Sequence, residues 1–266
     1  MLRPIPPAEV ARRAADLIPD DAPARQRALA VLDGVLVGHA WVDDPAAPTA
    51  LLVIEDADGT VYAGGACTPA SVRDALAGLA TASGDLVFGV SGPHDPLRAL
   101  VPADPYWRGE AIDFTDREAL DGEADARPAL PADGSSLVRL DRASLPLTEW
   151  YEDTLFAFGS MEAWEELGVG FAMMVDGGVA SESVAGPRCR GLLEMGVVTR
   201  EPYRRRGYGT LVSAAVARAC EARGDRVWWN ANSENEPSIR IARHLGFRNE
   251  RRYEVIACRA PLPPVT

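Results

Sequence analysis

Three arginines run directly into a glycine pair in Arg204-Arg205-Arg206-Gly207-Tyr208-Gly209-Thr210, a combination suited to holding a polyphosphate. Glycine lets the main chain approach a ligand closely and frees N–H groups where a helix begins. Those N–H groups, the helix dipole and nearby guanidinium groups together favour a pyrophosphate. Two common phosphate loops fail on spacing. A Walker loop needs a lysine, and the chain contains none. A dinucleotide fingerprint needs a third glycine that does not follow Gly207-x-Gly209. The pattern that remains is Arg204-x-x-Gly207-x-Gly209. On the residues alone, an ordinary strand-to-helix turn with solvated arginines stays open beside it.

The cradle needs a strand before it and a helix after it. Leu192 to Thr199 reads as an apolar strand, and Leu211 to Arg223 as an amphipathic helix. Glu194 is the one carboxylate in that strand. Burial there would raise its pKa toward the range of a general base, although an outward or salt-bridged glutamate fits the same pattern. Downstream, Arg226 to Trp229 reads as a buried strand and Asn230 to Glu236 as a polar loop. Pro237 suits the first turn of a helix that Gly246 ends, and Arg252 to Cys258 returns as a strand.

Arg204, Gly207 and Gly209 resemble motif A of the GNAT family of N-acetyltransferases, which bind acetyl-CoA. Asn235 and Ser238, followed by Leu245-Gly246-Phe247, resemble the signature that ends GNAT domains. Two ordered signatures identify residues 136–260 as a member of that family. Val42-Asp43-Asp44-Pro45 before the apolar run Ala50 to Ile54, with Glu194 to Thr199 and Arg252-Tyr253-Glu254-Val255, is similar to a two-part GNAT subgroup. That subgroup includes zwittermicin A resistance-type acetyltransferases, so an aminopolyol antibiotic is one candidate acceptor. The implied fold is a tandem GNAT-like α/β (α+β) architecture. Each part has a mixed, mostly antiparallel sheet flanked by helices, with a catalytic C-terminal half and a diverged N-terminal half.

The resemblance also implies roles. Val197, Val198 and Thr199 would hold the pantetheine and polarise the thioester carbonyl through their backbone. Arg204, Arg205, Arg206, Gly207, Tyr208, Gly209 and Thr210 would hold the pyrophosphate, chiefly through N–H groups. Glu194 would deprotonate the amine, and Asn235 and Ser238 would contact the cofactor. Asn235 as a plain helix cap and Ser238 as a plain helix N-terminal hydroxyl remain equal readings. The family tyrosine that protonates the leaving thiolate is replaced here by Ala242, which leaves Ser238, water or the remote Tyr253. Ser181-Glu182-Ser183 would face the acceptor, with Glu182 either meeting an amine or lying on the surface. His39 and His244 read as structural or exposed, and Trp228 and Trp229 as packing residues.

The reaction implied is direct transfer of acetyl from acetyl-CoA to the primary amine of a small molecule. A non-catalytic acyl-CoA sensor or interaction module and a protein N-acetyltransferase are the alternatives.

The wider chain fits this reading. With 266 residues, it exceeds the usual length of one domain. A diverged domain at 1–122, a Pro/Gly-rich linker at 123–135 and an acetyltransferase domain at 136–266 are expected. The formal charge of −12 resides in residues 1–135, whereas arginines and acids balance in the remainder. That distribution argues against a nucleic-acid partner. No signal peptide or apolar span of membrane length is apparent, and the four cysteines lack metal-ligand spacing. A cytoplasmic monomer or homodimer without a metal or membrane partner is the expectation.

Overall fold

The computed structural model describes residues 1–77, 79–81, 83–91, 95–101, 105–118 and 134–260. Most of the expected linker lies outside them, as does His94, where His94-Asp95-Pro96 reads as a turn in the sequence. The chain forms two compact units, Met1–Ala111 with Arg252–Thr266, and Ile112–Arg251.

The first unit contains β1 (Arg3–Ile5), α1 (Pro7–Ala14), α2 (Arg25–Leu32), β2 (Gly38–Val42), β3 (Ala50–Glu55), β4 (Thr60–Gly65), α3 (Pro69–Leu76) and β5 (Asp85–Val90). The start of β6 (Trp107–Arg117) and the end of β12 (Phe247–Arg259) also belong to it. Its strands follow the order β1-β2-β3-β4-β5-β12, antiparallel except for β4 with β5. Leu52, Ile54, Val61, Val72, Leu76, Phe88 and Ile256 form a closed core. All of β3 is buried, which explains its unbroken apolar run. The sequence pattern suggests a strand from Val31 to Val42, but Val31 and Leu32 end α2 and the strand begins at Gly38. A short apolar run does not by itself distinguish a buried helix end from a strand.

The second unit contains β7 (Ser136–Arg139), α4 (Tyr151–Phe158), α5 (Met161–Leu167), β8 (Val169–Val175), β9 (Gly178–Ala185), β10 (Leu192–Thr199), α6 (Tyr208–Glu221), β11 (Arg226–Asn232) and α7 (Glu236–His244). The remaining parts of β6 and β12 complete it. Strand β6 has no counterpart among the sequence-predicted elements. Asp176 and Gly177 both have positive φ, so the β8–β9 hairpin turns as its Asp-Gly-Gly sequence predicts. Helices α6 and α7 cover one sheet face through Val216, Ala217, Cys220, Ile239 and Ala242. Around Trp164, the α4–α5 pair builds a separate core with Leu140, Leu145, Ala172 and Val179.

Candidate functional site

Strand β10 changes partner along its length. It runs parallel to β11 from Leu192 to Met195, opposite Arg226 to Trp229. From Met195 to Thr199 it runs antiparallel to β9. Gly186 donates its N–H to the Glu194 carbonyl at 2.9 Å, and Arg200 donates its own to the Ala180 carbonyl at 3.0 Å. Even-numbered residues therefore direct backbone groups toward β9, whereas Val197 and Thr199 direct theirs toward the side on which the β11 register has ended. Val198, expected to serve alongside them, turns its backbone toward β9. Ser181 Oγ donates to the Val198 carbonyl at 2.9 Å, and Ser183 Oγ to the Gly196 carbonyl at 2.7 Å. These buried hydroxyls reinforce the β9 side.

The strand leads through Arg200 to Arg206 into α6. Arg204, Arg205, Arg206 and Gly207 are exposed, and Arg205 and Gly207 have φ of 62° and 80°. Gly207 is the N-cap of α6 and supplies no side-chain cap. Its glycine is needed for conformation, because open space surrounds the place of a β-carbon. At Gly209 the need is steric. A β-carbon there would come within 3.1 Å of Ile241 Cδ1 and 3.2 Å of Thr199 Oγ1. Gly209 therefore lets the helix start lie against the gap-facing residues of β10.

Arg204 Nε donates to the Thr199 carbonyl at 3.2 Å, and Arg206 lies over the Tyr203 ring. Tyr208, expected in the cradle, buries its ring with Met173, Ala180, Leu211 and Val212. Any ligand role for it falls to its backbone. Thr210 is half-buried in the first turn. Ser213, one turn beyond Gly209, is fully buried and its hydroxyl has no hydrogen-bond partner among the described residues.

Glu194 is half-buried and shares a sheet face with Gly196 and Val198, opposite the face covered by α6. Asn235 caps α7, its side-chain oxygen accepting the Ser238 N–H at 3.3 Å. Ser238 Oγ accepts the Trp229 indole N–H at 3.0 Å, leaving its own O–H as a donor. Ala242 is fully buried. Tyr253 belongs to the first unit and packs beside Gly89 there. Trp228 and Trp229 are buried as expected, and His39 and His244 are exposed.

Glu182 corrects one expectation. It is buried rather than superficial, and its carboxylate accepts the N–H groups of Glu149 and Trp150, each at 3.0 Å. Burial pushes its carboxyl up, against the pull of those two N–H groups. Trp150 and Arg200 also enter the site unforeseen. An isolated tryptophan before a helix gives no sequence signal for contact with a strand far along the chain.

The first unit repeats the strand exchange but closes the helix start. Strand β4 pairs with β5 over Thr60 and Val61 and with β3 over Val61 to Gly65. The following α3 is capped internally, because Thr68 Oγ1 accepts the Ser71 N–H at 3.2 Å and Ser71 Oγ accepts the Thr68 N–H at 3.1 Å. Main-chain atoms of Leu17 and Ile18 press on Gly64.

Comparison with known proteins agrees with this architecture. The family model described as GNAT acetyltransferase matches residues 22–256. A GCN5-related N-acetyltransferase-like protein from Streptococcus suis is 21% identical, with a TM-score of 0.73 over 94% of this chain and 99% of that one. A tandem GNAT protein from the clavulanic acid biosynthesis pathway is 16% identical, with a TM-score of 0.61 over 99% of both chains. A GCN5-related N-acetyltransferase from Sphaerobacter thermophilus is 15% identical, with a TM-score of 0.62 over 99% of this chain and 96% of that one. No curated protein matches. At these identities the solved structures establish a shared tandem fold, and the family match establishes membership. The chain belongs to the GNAT acetyltransferase family.

Proposed function

We propose that the second unit transfers acetyl from acetyl-CoA to the primary amine of a small molecule. The observation that carries this reading is the partner change of β10 immediately before the uncapped start of α6. Acetyl-CoA supplies the activated acyl group as a thioester. The residues fit it. The backbone of Val197 and Thr199 suits the pantetheine amides, and the exposed Arg204-to-Gly207 turn with the first N–H groups of α6 suits the pyrophosphate. The buried Ser213 hydroxyl lies one helical turn farther on.

Glu194 is the proposed base. The Glu194 carboxylate takes one proton from the bound ammonium and passes it to water, freeing the nitrogen lone pair. As that nitrogen bonds to the carbonyl carbon, the carbon–sulfur bond breaks, sulfur leaves as the thiolate, and the second proton on the new amide nitrogen passes to Glu194, directly or through water. Ser238 keeps its hydroxyl proton available to hydrogen-bond a developing thiolate, with its other interaction fixed by Trp229. An aminopolyol acceptor, as in the zwittermicin-resistance subgroup, is the finer proposal, and a cytoplasmic site of action accompanies it. The first unit, with its internally capped α3, is proposed to be a diverged GNAT-like partner that holds no cofactor.

One observation favours a second reading. Ala242 is buried where a GNAT phenol is expected, which suits an acyl-CoA sensor without turnover. A panel of primary amines with acetyl-CoA separates the readings. Free-thiol release together with an acetylated product supports transfer, whereas tight acetyl-CoA binding with no product supports sensing. The chain has no lysine, so ε-amine self-acetylation cannot mimic acceptor turnover.

A further inference from the structure

The segment Leu147–Trp150 is anchored by opposite charges from the two strands bordering the proposed thioester site. Glu182, on β9 opposite Val198, receives the Glu149 N–H on Oε2 and the Trp150 N–H on Oε1. Arg200, directly after β10, donates to the Leu147 carbonyl at 3.0 Å. The anchored segment carries the Trp150 ring onto Gly196. A β-carbon at Gly196 would lie 2.7 Å from Trp150 Cζ3, so only glycine admits the ring there. Gly196 adjoins the gap-facing Val197 and shares its sheet face with Glu194.

A buried carboxylate costs desolvation, and an apolar side chain could cover this part of β9 without that cost. Glu182 instead uses both oxygens to fix two successive N–H groups far away in sequence. Trp150 remains half-buried. Glu152 and Asp153 add negative charge in the first turn of the helix that follows.

We propose that Glu182 is a positioning residue that holds Leu147–Trp150 so that the Trp150 ring forms the acceptor-side wall beside Gly196. The ring face and the Glu194 carboxylate, on one side of the sheet, then receive a cationic primary amine before it loses its proton. This inference rests on the acetyl-transfer reading and assigns the acceptor side of the same site.

Glu182→Gln tests it in the full chain, because an isosteric amide turns its NH2 toward one of the two backbone donors and loses that bond. Acetyl-CoA affinity should stay within about twofold, while the KM of the best amine in the panel rises about tenfold or more. Trp150→Ala should reproduce that KM change, and Trp150→Phe, which retains a ring, should recover most of it. Parallel loss of acetyl-CoA affinity, or an unchanged amine KM in both Glu182→Gln and Trp150→Ala, overturns the proposal. A second readout needs no acceptor. In chain labelled with 5-fluorotryptophan, the Trp150 fluorine resonance, assigned by its loss in Trp150→Phe, should shift or broaden in Glu182→Gln. An unmoved resonance overturns the positioning role even if no amine is turned over. Absence of turnover with a moved resonance retains the positioning role and overturns acetyl transfer and amine recognition.

Discussion

Trp229 donates its indole N–H to Ser238 Oγ at 3.0 Å, joining the middle of β11 to the first turn of α7. The indole is buried, so Ser238→Ala leaves a donor without its partner. The expected cost is about 1–3 kcal/mol, read as a lower melting temperature. If the Ser238 O–H also stabilises the thiolate, kcat should fall about tenfold beyond what unfolding explains. A full stability loss with unchanged kcat would reduce Ser238 to a structural role.

Glu194→Gln removes the proposed base while preserving shape and partial burial. Loss of a general base should lower kcat by about a hundredfold or more. Acetyl-CoA affinity should hardly change, because the groups proposed to hold the cofactor lie on β10's other backbone edge and at α6. A kcat equal to that of the wild type across pH would remove Glu194 from the mechanism.

The two cradle glycines should fail in different ways. Gly207→Ala places a β-carbon in open space but at φ 80°, costing about 1–2 kcal/mol of local conformation. Gly209→Val would crowd Ile241 and Thr199, pushing the helix start away from β10. Acetyl-CoA affinity should therefore fall more in Gly209→Val than in Gly207→Ala. Calorimetry on both variants checks the order, and the reverse order contradicts the steric account.

Much of this site is legible in the sequence because its constraints are local. Gly207, Gly209, Asn235 and Pro237 announce helix starts by residue type, and the Asp176-Gly177 turn announces its hairpin. What the sequence does not show depends on distant partners. Glu182 and Trp150 meet only because β9 carries the carboxylate under a loop more than thirty residues earlier in the chain. Face and edge are similarly hidden. Only the β9 register shows that Val197 and Thr199, but not Val198, direct their backbone into the gap. Strand β6 gives no clear signal because its largely exposed start, its four consecutive buried residues Ala111 to Phe114 and its partly exposed end follow no single alternating pattern.

The first unit offers a pH test independent of catalysis. Glu55 is buried at the end of β3 and accepts the Ala57 and Asp58 N–H groups. Burial, then Asp58, pushes its carboxyl up to about 7. The folded chain thus holds this proton more tightly than the unfolded chain. Stability falls as pH rises from the ordinary value of 4.5 through about 7, by up to about 3 kcal/mol. Glu55→Gln should flatten that decline in urea melts between pH 4.5 and 8. An identical pH dependence in both proteins would contradict this origin.

Calorimetric titration of the purified chain with acetyl-CoA tests the central claim most directly. An uncapped α6 beside a parted β10, set against an internally capped α3, predicts one site per chain with micromolar affinity. Neutralising Arg204, Arg205 and Arg206 should weaken that site about tenfold or more, with a shallower dependence on salt. Two sites per chain, or none, would contradict the account.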